Sequence, residues 1–198
     1  MIEFYEKLKS TGQYDISHLL EDSSIIERTK FKCDEMLRNK NPNHLESLYR
    51  DTRVGVITET AIAEILGGKI NPSSHHDKRD WKTYAYDVLG PNQELIEVKR
   101  ISRDPVTKRY PKYFRFNLKN FREEPTKATY LDSFIKNCHR LDNLILVDVD
   151  FSKGILIPKY IIDAKTFKKY VGRGDWLCAP THWYNNEWAI KVGDCFEF

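Results

Sequence analysis

The 198-residue chain reads as a single α/β domain, a mixed central sheet flanked by helices and preceded by a helical extension. Three stretches carry that reading. Residues 55–68, GVITETAIAEILGG, follow a helical apolar period and end on a glycine pair. Residues 84–99, YAYDVLGPNQELIEVK, set two strand-like runs around a Gly-Pro-Asn turn signal and read as a β-hairpin. Residues 143–150, NLILVDVD, form a short apolar run of the buried-strand kind. With 40% hydrophobic and 13% aromatic residues, the chain can build one sizeable core and is short for two.

Residues 1–50 are expected to be helical. Ile25, Ile26, Thr29, Cys33, Met36 and Leu37 recur at helical spacing after Ser23-Ser24, the expected N-cap. Asn41-Pro42-Asn43 then breaks the chain before a short segment at 44–49. No chemistry is legible here. The extension reads as an arm packing on the core, with a dimer contact or a wall of the substrate cleft as alternatives.

The helix expected over 53–66 has an apolar stripe of Val54, Ile57, Ala61 and Ile65, with Ile62 at its shoulder. Glu59 and Glu64 lie on opposite flanks of that stripe, and the helical wheel does not choose between them. In the following segment, KINPSSHHDKRDWK, Ile70 is expected to open a first strand. His75, His76 and Asp77 form a competing candidate site, with a histidine as general base. Adjacent histidines on a polar loop are read first as solvated side chains.

The hairpin carries acid where a purely structural strand would not. Glu97 and Lys99 share one face of the second run while Ile96 and Val98 share the other. An even loop would pair Asp87 with Ile96 and send its carboxylate into the apolar face, at a cost of several kcal/mol, roughly, or forced protonation. An odd loop or a bulge pairs Asp87 with Glu97. The odd register is therefore expected, with Asp87, Glu97 and Lys99 together and Tyr86, Val88, Ile96 and Val98 in the core. Two carboxylates and an ammonium so arranged suit a hard divalent cation such as Mg²⁺, with the Val98 carbonyl as a further ligand.

Formal net charge is only +3, but it is unevenly spread. Residues 100–127 hold nine Lys or Arg against three Asp or Glu, so the rest of the chain is net negative. A basic stretch directly after the acidic hairpin is where a phosphate backbone would need positive charge. Arg100, Arg103, Lys108, Arg109, Lys112, Arg115, Lys119 and Arg122 are the candidate nucleic-acid contacts. Tyr113, Arg115 and Asn117 alternate with Phe114, Phe116 and Leu118, a further strand whose Arg115 and Asn117 would face the cleft.

Residues 128–141 read as an amphipathic helix on Leu131, Phe134, Ile135, Cys138 and Leu141. The run at 143–150 follows, then a neighbour strand over 154–157 closed by Pro158, and a final strand on Trp188, Ile190 and Val192. Asp148 and Asp150, near the end of the 143–150 run, are candidate catalytic acids, read first as serving turns. Cys33, Cys138, Cys178 and Cys195 are scattered without a CxxC, which fits a reducing compartment. A zinc site on Cys178 and His182, completed by His75-His76 or Cys195, is considered and set aside. No apolar run approaches the ~20 residues of a membrane span. The opening MIEFYEKLKS lacks signal-peptide regions, so a cytoplasmic location is expected.

Asp87, followed by Glu97-Val98-Lys99, resembles the D…(D/E)xK signature of the PD-(D/E)xK nuclease superfamily, and the resemblance covers roughly residues 52–160. It implies a restriction-endonuclease-like fold over residues 51–198, with 1–50 as the helical extension. The family's helix pattern, a Gly four residues before the glutamate and a small residue four after, selects Glu59 through Gly55 and Ala63. The implied function is Mg²⁺-dependent hydrolysis of DNA phosphodiester bonds, Mn²⁺ substituting. Asp87 and Glu97 would ligate the metal, aided by Glu59 and the Val98 carbonyl, and Lys99 would position water or stabilise charge. Double-strand cleavage in this family generally takes two active sites, which implies a homodimer. A non-catalytic binding module of the same fold, or a nuclease acting on RNA or branched junctions, is the alternative.

Overall fold

The computed structural model describes residues 2–37, 45–71, 86–104, 106–110, 113–116, 142–163, 188–191 and 196–197. It opens with α1 (Ile2–Thr11), the two-residue β1 (Tyr14–Asp15), a short α2 (Ser17–Leu20) and α3 (Ser23–Leu37). The Asp22 carboxylate, not Ser23 or Ser24, caps α3 by accepting the Ser24 N–H at 2.7 Å. The central helix α4 runs unbroken from Leu45 to Leu66. The segment expected at 44–49 is thus the first turns of that helix, and the expected domain boundary at 50/51 falls inside it.

The ends of α4 follow from its sequence. Gly67 takes a left-handed φ of 69°. Its N–H donates to the Glu64 carbonyl at 3.1 Å and that of Gly68 to the Ala63 carbonyl at 2.8 Å, a Schellman stop. The chain then turns directly into β2 (Lys69–Ile70), and among the described residues β3 (Val88–Leu89) and β4 (Leu95–Arg100) follow. These three strands are antiparallel neighbours. The next sheet strand, β6 (Asn143–Asp150), lies parallel to β4, and β7 (Ile155–Asp163) returns antiparallel. Among the described residues the main sheet has seven strands, six in the order β1-β7-β6-β4-β3-β2, with β9 (Phe196–Glu197) also on β7. A helix followed by three antiparallel strands and then a parallel one is a restriction-endonuclease-like arrangement.

Two expectations about strands change. Pro158 does not close β7, which continues to Asp163. The register slips between Leu146 and Val147, pairing Val147 with Pro158 and Leu146 with Tyr160, so Lys159 is the extra residue of a bulge beside the proline that lacks an N–H. The strand expected around Tyr113 exists as β5 (Tyr113–Phe116), but it pairs with β8 (Trp188–Lys191) in a separate two-stranded sheet. Asn117, Leu118, Val192 and the helix expected at 128–141 lie outside the described residues.

One core joins the N-terminal elements, α4, the hairpin, β6 and β7. From α4 it takes Val56, Ile57, Ala61, Ile62, Ile65 and Leu66, from the hairpin Val88, Ile96 and Val98, and from β6 Ile145, Val147 and Val149. Leu8, Ile16, Leu19 and Ile25 of the N-terminal elements belong to the same cluster. The arm expected to pack on the core is therefore part of it. With α3 covering its outer side, α4 is buried continuously from Val56 to Ala63. Its apolar stripe is no longer a stripe, and that explains where Glu59 sits.

Candidate active site

The hairpin register is the odd one. Val88 pairs with Ile96 and Leu89 with Leu95, leaving a five-residue connection, 90–94. Gln93, at a left-handed φ of 69°, and the Gly90 N–H donating to the Glu94 carbonyl at 2.8 Å close it. Val88, Ile96 and Val98 are buried as expected, while Tyr86 is half-buried.

Asp87 lies one residue before β3 and is buried. Its N–H donates to the Ile96 carbonyl at 2.8 Å, and its Oδ2 accepts the Val98 N–H at 2.9 Å. The carboxylate thus replaces a main-chain acceptor where the β3–β4 ladder ends. The same oxygen lies 3.4 Å from Lys99 Nζ, which is also ion-paired to Glu97 Oε1. Asp87, Glu97 and Lys99 therefore meet on one side of the hairpin.

Glu59 and Glu64, indistinguishable on a wheel, have opposite fates. Glu64 is exposed and takes hydrogen bonds from Tyr14 Oη at 2.8 Å and from His18 Nε2, at 3.1 Å. Glu59 is only 8% exposed, and both its oxygens face the Lys32 ammonium, at 2.7 and 3.1 Å. Arg28 Nη2 stands 4.0 Å from Glu59 Oε2. A cleft of about 320 Å³ reaches Glu59 and Lys99, lined also by Asp51, Val54, Gly55, Thr58, Val98 and Arg100 but not by Asp87 or Glu97. A Cβ on Gly55 would make an ordinary contact with Glu59 Oε1, at 3.8 Å.

The electrostatics follow from burial and from like charges held close. Burial, then the Asp87 charge, pushes the Glu97 carboxyl up to about 7, against the pull of Lys99. Burial and Asp87 likewise raise Glu59, opposed by Lys32 and Lys99. For Lys99, burial alone would favour the neutral amine, but Asp87 and Glu97 outweigh it and hold the ammonium well above its ordinary value. Its two acids thus hold Lys99 as the charged ammonium, a hydrogen-bond donor.

The other candidates divide. Arg100 lines the cleft and lies over the Phe151 ring at 5.8 Å. Arg103 stacks on Tyr110 at 4.9 Å and pairs through Nε with Asp148 Oδ2 at 3.5 Å, which also accepts the Tyr110 hydroxyl at 2.7 Å. Asp148 therefore anchors the basic loop rather than serving a turn. Asp150 does serve one, accepting from Ser152 Oγ at 2.6 Å and from the N–H groups of Ser152 and Lys153. Lys108 and Arg109 are exposed on a turn organised by Asp104, whose Oδ1 accepts the Thr107 N–H at 2.6 Å. Arg115 lies in β5. Lys112, Lys119, Arg122, His75, His76 and Asp77 lie outside the described residues, as do Cys138, Cys178, His182 and Cys195.

Sequence reasoning missed Lys32, Arg28 and Asn71. Asn71 is buried and donates its N–H to the Asp87 carbonyl at 2.9 Å and its side-chain amide to the Tyr86 carbonyl at 2.8 Å. The Arg28 guanidinium in turn donates to the Asn71 carbonyl at 2.5 Å. One signal was available for Lys32: counted from Ile25 and Thr29 it occupies an inward position of the α3 repeat, where a lysine needs a partner.

The sheet order and the acid-bearing hairpin define a chain of restriction-endonuclease-like architecture. A family model described as bacteriophage T4 endonuclease IV matches residues 3–174. The chain belongs to that family, and it is a nuclease. No curated protein and no solved structure matches it.

Proposed function

We propose that the chain is a Mg²⁺-dependent endodeoxyribonuclease of the PD-(D/E)xK type, hydrolysing DNA phosphodiester bonds at Asp87, Glu97 and Lys99. The observation that carries this reading is the convergence of two carboxylates, Asp87 and Glu97, on the single ammonium of Lys99 beside a cleft. Without a cation those acids would repel a phosphate.

The donor set fits a hard cation. Among the described residues, no three His, Cys, Asp or Glu side chains are grouped to hold a metal alone. Mg²⁺ does not require such a cage, being bound commonly through one or two carboxylates with water and substrate phosphate. Asp87 and Glu97 would hold it, with the Val98 carbonyl and Glu59 as further ligands, directly or through water. When bound, the cation supplies Lewis acidity toward a phosphate oxygen and acidifies a coordinated water. In the hydrolysis, a P–O bond forms to water and the ester P–O bond breaks. The water gives up a proton and the leaving oxygen gains one. Lys99, held protonated by its two acids, donates a hydrogen bond to the attacking water or to the phosphate oxygens as their charge grows. Arg100 in the cleft, with Lys108 and Arg109 on the loop after it, would neutralise the DNA backbone.

The test compares wild type with Lys99→Ala and Glu97→Ala on plasmid and single-stranded DNA, with Mg²⁺ and with EDTA. Wild type should cut only with the cation, and each variant should lose about 10²-fold or more in rate while retaining its circular dichroism. Cleavage in EDTA, or variants that cut like wild type, would place the chemistry elsewhere.

A further inference from the structure

Glu59 does not hold its own position. Lys32, on a different helix, is 5% exposed, and its ammonium bridges both Glu59 oxygens. A contact serving only to dock α3 on α4 would be as well made by apolar side chains, since a buried ion pair gains little over a packed hydrophobic one. This pair instead stands where Glu59 lines the cleft. One turn earlier on α3, Arg28 donates to the Asn71 carbonyl, and Asn71 donates to the carbonyls of Asp87 and Tyr86. A single helix thus grips both acid-bearing segments, α4 through Lys32 and the approach to β3 through Arg28.

We propose that Lys32 is a positioning residue of the nuclease site, holding the Glu59 carboxylate at the cleft, and that α3 is the clamp fixing the distance between Glu59 and Asp87. The inference rests on Glu59 working in the reaction, as proposed above. Each Glu59 oxygen keeps a second acceptor position after its bond to Lys32, and these are what the cleft can use. Without Lys32 the buried carboxylate loses its charge partner and turns toward another.

The experiment measures cleavage of one DNA substrate by the full chain as wild type, Lys32→Met, Lys32→Arg, Glu59→Gln and the double variant K32M/E59Q. Melting temperature and DNA affinity in EDTA are recorded for each. Lys32→Met is expected to lower kcat about 10–100-fold, the range seen when groups orienting a metal ligand are lost. DNA affinity should stay within about 3-fold, because a buried ammonium bonded to Glu59 is not offered to a phosphate. Lys32→Arg should recover most of the rate. The double variant should cut at the rate of Glu59→Gln, since a residue acting through Glu59 has nothing left to act on. Lys32→Met cutting like wild type would overturn the inference, whatever its melting temperature. So would a double variant at least tenfold slower than Glu59→Gln. Glu59→Gln cutting like wild type would remove Glu59 from the reaction and the inference with it, a pattern distinct from a slow Glu59→Gln beside a normal Lys32→Met. Should Lys32→Met not fold, Lys32→Gln takes its place, keeping a hydrogen-bond donor toward Glu59 without the charge, with the same expected and overturning outcomes.

Discussion

Asp87 has two separable roles, because its carboxylate both ends a β-ladder and faces Lys99. Asp87→Asn keeps an oxygen for the Val98 N–H but not the charge. It should unfold within about 1 kcal/mol of wild type and cut at least 10²-fold more slowly. Asp87→Ala orphans a buried N–H as well, so it should lose about 1–3 kcal/mol in urea denaturation besides its activity. Equal stability losses for the two would mean that charge, not the Val98 bond, is what the hairpin needs. The grouping of Asp87, Glu97 and Lys99 was legible because it rests on local rules: alternation on a strand, and the cost of turning a carboxylate into a core. Lys32 was not, because its partner lies on another helix and no sequence pattern specifies which faces of α3 and α4 meet. For the same reason Glu59 and Glu64 could be told apart only by the family pattern. Their environments are set by α3 covering one of them and by Tyr14 and His18 reaching the other.

At the level of elements, the clasp of Tyr14 on Glu64 ties β1 to α4 and makes stability depend on alkaline pH. Burial, then the hydrogen bond to Glu64 and its charge, pushes the Tyr14 phenol from 10.0 up to about 12. Between those values the unfolded chain has released a proton that the folded chain keeps. Stability from this group is therefore complete below pH 10 and lost as pH rises toward 12. Tyr110, raised to about 12 by burial and by its bond to Asp148, contributes in the same direction. Urea midpoints measured from pH 9 to 12 should fall, and fall less steeply for Tyr14→Phe. An unchanged slope in that variant would show that the clasp does not survive in solution. The two-residue β1 itself had no sequence signature, since pairing with the edge of β7 comes from tertiary placement. The Schellman stop at Gly67-Gly68 was legible from the glycine pair. The continuity of α4 back to Leu45 was not, because the break signal at Asn41-Pro42-Asn43 marks where a helix starts as readily as where one ends.

Over the whole molecule, charge and core are distributed differently, and each supports its own prediction. The basic loop after β4 is anchored rather than loose: Arg103 and Tyr110 are held by Asp148, leaving Lys108 and Arg109 exposed. Lys108→Ala and Arg109→Ala should each flatten the dependence of log K on log salt for DNA by about 0.7–0.9, and unchanged slopes would take this loop out of the interface. The core argues against a detachable nuclease unit. Leu8, Ile16, Leu19 and Ile25 are buried against α4 and the sheet, at 0–3% exposure. Burying each such side chain is worth about 1.5–3 kcal/mol. Together that is about 6–12 kcal/mol, comparable to the ~5–15 kcal/mol by which a whole domain is stable. Deletion of residues 2–44 would also strip Lys32 from a buried Glu59, leaving an uncompensated charge beside exposed apolar surface. The shortened chain should therefore show no cooperative melting transition by circular dichroism and should bind a hydrophobic dye at 25 °C. A sharp transition within ~5 °C of the full chain would make the first 44 residues an appendage, and the clamp formed by α3 would then have to be dispensable to the fold.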